Sequence, residues 1–240
     1  MDTQTSILDL TPHGSIDIEC VVNGPIETNT YFITSKGEAL VIDPAWDGEA
    51  LVADFSHRHP DVELRGIVCT HGHADHVGGV AGIRRALGEE TPFVLSGEDV
   101  PMVRANIDHQ RQKWGIETED PGEPSRLVTE GDVIAVGDVH LQVVATPGHT
   151  PGGVVLFAAT EDGPVAFVGD TLFPGSHGRT DLEGGDEGAI MKSLAKLGTV
   201  LPPETRCFVG HGPATTIASE LAGNPFMVRA LHEHARREGR

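Results

Sequence analysis

The stretch Thr70-His71-Gly72-His73-Ala74-Asp75-His76 places three imidazoles and one carboxylate within six residues. An apolar run, Gly66-Ile67-Val68-Cys69, precedes it, and a helix is expected to begin near Asp75. His71 and His73 stand two apart in an extended segment, so both project to the same side. Asp75 and His76 fall at a helix N-terminus, where capping and the helix dipole favour an acid. Four such side chains in one loop cannot all reach a single ion in good geometry, and two neighbouring ions fit better. Histidine with carboxylate and no cysteine suits zinc, manganese or iron, and a two-metal site suits hydrolysis by an oxygen nucleophile. The bland alternative is a histidine-rich surface loop, but a solvated run has no reason to lie between a buried strand and a helix.

Other chemistry-bearing residues follow the same plan. Short apolar runs read as strands at 16–22, 30–33, 39–42, 66–69, 92–95, 126–136, 140–145, 153–158, 165–168 and 205–209. Five of them deliver a polar side chain from their ends: Asp43, His71, His149, Asp170 and His211. Strand ends gathered at one rim of a sandwich are how a rigid scaffold places ligands. Thr146-Pro147-Gly148-His149 echoes Thr70-His71-Gly72-His73, which hints at duplication of a half.

Helices are expected over 49–57, 75–87, 98–114, 187–197, 214–222 and 225–237. Gly78, Gly79 and Gly82 blemish the second of these by about 1 kcal/mol each against Ala, and would let the backbone approach the metals. Residues 1–15 read as a frayed lead-in. The segment 117–125 carries four acids and two prolines and suits a lid or mobile connector.

The chain has 240 residues, 38% of them hydrophobic, enough for a sizeable core in one α/β domain. Against 17 bases stand 36 acids, a formal charge of −19, which would repel nucleic acid and anionic membrane surfaces. Three cysteines (Cys20, Cys69 and Cys207) form no disulfide framework and suit a reducing compartment. Met1 to Thr5 show no basic and apolar leader, and no apolar run is long enough to span a bilayer. A cytoplasmic protein is the expectation.

With HxHxDH at His71 to His76, Pro-Gly-His at His149, Gly-Asp at Asp170 and Gly-His-Gly at His211, the sequence resembles the metallo-β-lactamase superfamily. The resemblance implies an α/β fold, an αββα sandwich with metals at one edge. It implies that His71, His73 and His149 hold one divalent ion, that Asp75, His76 and His211 hold a second, and that Asp170 bridges them. Zinc is the first choice, with iron or manganese also suited. Within the superfamily the chain looks most like short bacterial glyoxalase II (hydroxyacylglutathione hydrolase). Asp170-Thr171-Leu172-Phe173 and Gly178-Arg179-Thr180-Asp181 carry this match, supported by Asn29-Thr30-Tyr31 and Asn224-Pro225-Phe226. Gly72 stands where many glyoxalase II sequences have a third, non-ligand histidine. Little more than one helix follows Asn224, so residues 1–240 are expected to form a single domain, without the C-terminal helical domain of long glyoxalase II enzymes.

The chemistry so implied is hydrolysis of a small-molecule thioester such as S-lactoylglutathione to a hydroxy acid and a free thiol. A metal lowers the pKa of bound water from about 15.7 to about 7, and Asp75 would orient that water or accept its proton. The resemblance offers Arg179 as the grip on a substrate carboxylate; an ion pair with Asp181 is the competing reading. Asp43 would orient a ligand histidine from behind, or serve only as a turn acid before Pro44. His177 lies near the site as a loop residue, Cys69 is a small buried hydrophobe, and His109, His140, His232 and His234 are expected away from the ligands. The rival within the superfamily is a persulfide dioxygenase with one ferrous ion on His71, His149 and Asp170. A non-catalytic metal-binding protein should have lost ligands, and none is missing.

Overall fold

The computed structural model describes residues 8–239, so most of the expected lead-in over 1–15 is described and residues 1–7 fall outside it. The first half of the chain runs β1 (Asp17–Asn23), β2 (Thr28–Ser35), β3 (Glu38–Ile42), α1 (Gly48–Arg58), β4 (Glu63–Val68), α2 (Ala74–Val77), α3 (Val80–Leu87), β5 (Phe93–Ser96), α4 (Val103–Trp114) and β6 (Arg126–Val128). The second half runs β7 (Val133–Val136), β8 (Val139–Ala145), β9 (Val154–Ala158), β10 (Val165–Gly169), β11 (Leu172–Phe173), β12 (Ser176–His177), α5 (Glu187–Val200), β13 (Arg206–Val209), β14 (Thr215–Thr216), α6 (Ile217–Gly223) and α7 (Pro225–Arg237).

One sheet is ordered β1-β2-β3-β4-β5-β6 and the other β14-β13-β10-β9-β8-β7, with β11 and β12 pairing as a separate hairpin. Ile33, Ile42 and Val68 of the first sheet meet Leu141, Leu156 and Phe167 of the second in the central core. On the outer face of the first sheet, Phe55, Ile83 and Ile107 cover Phe32 and Val41. On the outer face of the second, Leu194, Leu197 and Met227 cover Val155, Phe157 and Val168. This is the expected αββα sandwich. Covering both faces explains why β9 and β10 read as unbroken apolar runs without alternation.

Two elements differ from the sequence expectation. The run 126–136 is two strands in different sheets, because Thr129-Glu130-Gly131-Asp132 turns between them. Gly131 sits at φ 84°, and the Asp132 carboxylate accepts the Thr129 N–H at 2.8 Å. The helix expected over 75–87 breaks at Gly78-Gly79 into α2 and α3. The Gly79 N–H donates to Pro44 O at 2.7 Å, and a Cβ on Gly78 would lie 2.4 Å from Ala45 O. Those glycines therefore admit the 44–48 turn rather than bringing backbone toward the metals. The 117–125 segment has no regular structure, as expected of a loop, and its acids make exposed ion pairs: Glu119 with Arg85, Asp120 with Arg104 and Glu117 with Arg111. Among the described residues no helix is long and apolar enough to cross a membrane.

Candidate metal centre

The five strand ends do share an edge. β3 and β4 run parallel, as do β10 and β13, while β8 and β10 are both antiparallel to β9 and so point the same way. The two sheets are tied together there. Val154 N–H donates to Thr70 O at 2.9 Å and Asn29 N–H to Gly210 O at 2.7 Å. The Asn29 amide also donates to Val209 O and Gly212 O, both at 2.9 Å, gripping the loop that carries His211.

The structure brings all seven proposed ligands together. Nitrogens of His71, His73 and His149 lie within 4.8 Å of one another, and ligand atoms of Asp75, His76 and His211 meet the same limit. The Asp170 carboxylate stands between the groups. Its Oδ1 is 3.5 Å from His76 Nε2, while its Oδ2 is 3.5 Å from His149 Nε2 and 3.6 Å from His211 Nε2. His211 Nε2 is in turn 3.3 Å from Asp75 Oδ2. A tetrahedral ion with ligands at about 2.05 Å separates them from one another by about 3.3 Å, so these spacings suit ions of that size. A Cβ on Gly210 would lie 2.0 Å from Asp170 Oδ1, so only glycine leaves that carboxylate its place.

Whether a metal fits is decided by unpaired atoms. Nε2 of His71, His73, His76 and His149, and Oδ1 of Asp170, are buried without a hydrogen-bond partner. A buried polar atom left unpaired costs about 1–3 kcal/mol, so five at one spot call for a cation. The opposite ring nitrogens are held from behind. His149 Nδ1 donates to Arg179 O at 2.8 Å and His76 Nδ1 to Asp43 Oδ2 at 3.0 Å. Both acceptors lack a hydrogen, so each ring in its neutral form turns a bare Nε2 lone pair inward. His71 Nδ1 lies 3.0 Å from Thr70 Oγ1, which donates to Asp43 Oδ2 at 2.7 Å.

Asp43 also accepts the Thr70 N–H at 2.7 Å and sits at φ 50°, a conformation that an L residue holds only under constraint. With His71 and His76 it makes a third possible ligand trio. Its oxygens are already taken by Thr70 and His76, which suits a buttress rather than a ligand.

The two groups differ electrostatically. Burial, then the neighbouring rings, holds His71 well below the usual histidine range, and burial with the His149 ring beside it pulls His73 down to about 3. Burial opposes charge on His76 too, but Asp75, Asp170 and Asp43 outweigh it and push that ring up to about 10. His211 moves up for the same reason, burial being overcome by Asp75 and Asp170. Burial would raise Asp75, yet His76 and His211 hold it below the usual carboxylate range. One group is thus all imidazole, while the other combines one carboxylate with two imidazoles. His211 and Asp75 are also the more exposed members, at 26% and 19% of the side chain, so the solvent approach lies on their side.

A metallo-beta-lactamase superfamily model matches residues 23–211. The chain belongs to the metallo-beta-lactamase superfamily. Haemophilus influenzae hydroxyacylglutathione hydrolase GloC is 32% identical over 79% of this chain and 87% of its own length. The crystal structure of TTHA1623 in a di-iron-bound form is 37% identical, with a TM-score of 0.76 over 87% of this chain and 99% of that one. ETHE1 from Myxococcus xanthus is 27% identical, with a TM-score of 0.68 over 90% of this chain and 85% of that one. The superfamily, the histidine and aspartate clusters and the di-iron-bound neighbour together support divalent metal at this edge and an enzyme of the metallo-hydrolase kind.

The Arg179 guanidinium, half-exposed, forks onto Asp181 through two 2.7 Å contacts, while its carbonyl takes the His149 proton. His177 packs edge-on against Phe226 and bonds Gly178 O. Sequence reasoning overlooked Thr28, whose hydroxyl donates to Asp75 Oδ2 at 3.3 Å, and Asp99, absorbed into the expected 98–114 helix. Helix α4 starts only at Val103, so Asp99 is a third acid following a strand, after Asp43 and Asp170. That position was its available signal.

Proposed function

We propose that this chain is a binuclear metal-dependent thioester hydrolase of the glyoxalase II type. It would cleave S-lactoylglutathione or another hydroxyacyl thioester to a hydroxy acid and a free thiol. The observation that carries the reading is the facing pair of ligand groups with buried, unpaired Nε2 atoms and Asp170 between them. Similarity to GloC supports the substrate class.

In this reading His71, His73 and His149 would hold one ion and Asp75, His76 and His211 the other, with the Asp170 carboxylate available to both groups. Bound divalent ions supply Lewis acidity, polarising the thioester carbonyl and lowering the pKa of water toward about 7. Asp75, on the solvent side, orients the attacking water and accepts its proton, with the Thr28 hydroxyl holding the carboxylate. The backing of His76 by Asp43 and of His149 by Arg179 O keeps both rings aimed through the reaction. A thiol leaving group with a pKa of about 8.5 departs as thiolate with little protonation. Arg179 would exchange Asp181 for a substrate carboxylate, since an exposed pair is worth only about 0–1 kcal/mol.

The second reading, a mononuclear iron persulfide dioxygenase, draws on the two-histidine, one-carboxylate set of His71, His149 and Asp170. Against it stands the complete second group. The test is hydrolysis of lactoyl thioesters of several small thiols, with metal content and oxygen uptake measured alongside. Hydrolysis with two ions per chain, abolished in His73→Ala without unfolding, supports the proposal. One iron per chain with oxygen consumption on a glutathione persulfide overturns it.

A further inference from the structure

Asp99 is fully buried, and among the described residues its carboxylate accepts hydrogen bonds from the two loops that carry His71, His73 and His149. Its Oδ2 accepts the Gly72 N–H at 2.8 Å, between His71 and His73. The same oxygen accepts the Thr150 hydroxyl at 2.8 Å, and Oδ1 accepts the Gly152 N–H at 2.5 Å, just beyond His149. Those loops come from different sheets, following β4 and β8, and Asp99 follows β5.

The glycines make room for this. A Cβ on Gly152 would lie 2.7 Å from Asp99 Oδ1, and one on Gly72 would lie 3.1 Å from Asp99 Cβ. Burying a carboxylate is unfavourable unless hydrogen bonds compensate it, and a fold needing only to join two loops could use an apolar contact. An acceptor-only side chain, by contrast, sets the position of three donors at once.

We propose that Asp99 is a positioning residue for the all-imidazole metal group: it fixes the separation of the His71–His73 loop from the His149 loop, and so the geometry at which three nitrogens meet an ion. This rests on the metal reading above, and its consequence is specific. Loss of Asp99 should disturb the His71, His73 and His149 ion while leaving the Asp75, His76 and His211 group, which Asp99 does not touch.

The test uses the full chain with Asp99→Asn, which keeps the volume but turns a donor toward one of the two N–H groups. A milder variant, Thr150→Val, removes one bond of the three. Three quantities are read: Zn(II) affinity by chelator competition, the visible absorption spectrum of the Co(II)-loaded protein, and thermal unfolding of the metal-free chain. Asp99→Asn is expected to weaken one of two zinc sites roughly 10- to 100-fold, the range for residues that hold metal ligands in place, and to alter the cobalt spectrum. Thr150→Val should shift both in the same direction by less, and it decides the matter alone if Asp99→Asn does not fold. If the variants match wild type in zinc affinity and cobalt spectrum while unfolding at lower temperature, Asp99 only staples the fold and the proposal is overturned. A wild-type chain that takes up neither zinc nor cobalt overturns the metal reading and this proposal with it.

Discussion

Asp43 Oδ2 lies 3.0 Å from Nδ1 of His76, behind a ring whose other nitrogen faces the metal centre. Both side chains are buried, and the same carboxylate takes the Thr70 backbone and hydroxyl. Asp43→Ala would leave the Thr70 N–H and His76 Nδ1–H without acceptors. Breaking a buried pair of this kind costs about 3–5 kcal/mol, so the metal-free variant should unfold at distinctly lower urea concentration. A midpoint equal to wild type would show that Asp43 is merely a turn acid.

Asn29→Ala removes the two amide bonds that hold Val209 O and Gly212 O. At about 1 kcal/mol per hydrogen bond the stability loss should be about 2 kcal/mol, read from urea unfolding. Because those bonds shape the His211 loop, thioester hydrolysis should fall as well. A variant that loses stability but keeps full turnover would separate Asn29 from the site.

Chelation offers a third test. Ligand binding to the native state alone stabilises it by about 4 kcal/mol at 1,000 times Kd, and for a chain of this size each kcal/mol is about 2–4 °C. Stripping the ions should therefore lower the melting temperature by about 10 °C, recovered on adding zinc. Unchanged melting would mean that the unpaired nitrogens are not where the ions sit.

Thiol reactivity follows from burial. Desolvation pushes Cys207 up to about 12 and Cys69 well above the ordinary range; it raises Cys20 too, but that residue lies exposed on the first sheet, where a reagent can reach it. Thiolate is the reactive form, so disulfide exchange at pH 8 should modify only Cys20 in the native chain and all three cysteines once it is unfolded. Rapid modification of two or more native thiols would contradict the packing around β4 and β13.

Arg179→Gln should raise KM for S-lactoylglutathione about tenfold, near 1.4 kcal/mol of binding, and leave kcat and stability near wild type. Steady-state kinetics decides. If KM stays fixed, the pairing with Asp181 is all that the guanidinium does.

Much of this architecture was readable because strand runs and the residues just beyond them are local signals. Asp43, His71, His149, Asp170 and His211 each follow an apolar run, and the structure places all five at one edge. What escaped reading depends on distant partners. Nothing between Arg126 and Val136 announces that the chain changes sheets at Gly131. The glycines at 78 and 79 look like helix defects until Pro44 and Ala45 are seen against them. The pairing of Glu119 with Arg85 and of Asp120 with Arg104 likewise appears only in the fold. Asp99 was hidden because its acceptor role is defined by Gly72, Thr150 and Gly152, far apart in the chain.

Two divalent ions at the β-strand edge and hydrolysis of a thioester stand together in the proposed function. Counting metal per chain by mass spectrometry, in the same preparation assayed for S-lactoylglutathione hydrolysis, tests it most directly. The account predicts two ions per chain and turnover that rises with the second equivalent of metal. A single iron per chain, full turnover at one equivalent, or two ions with no thioester cleaved would contradict it.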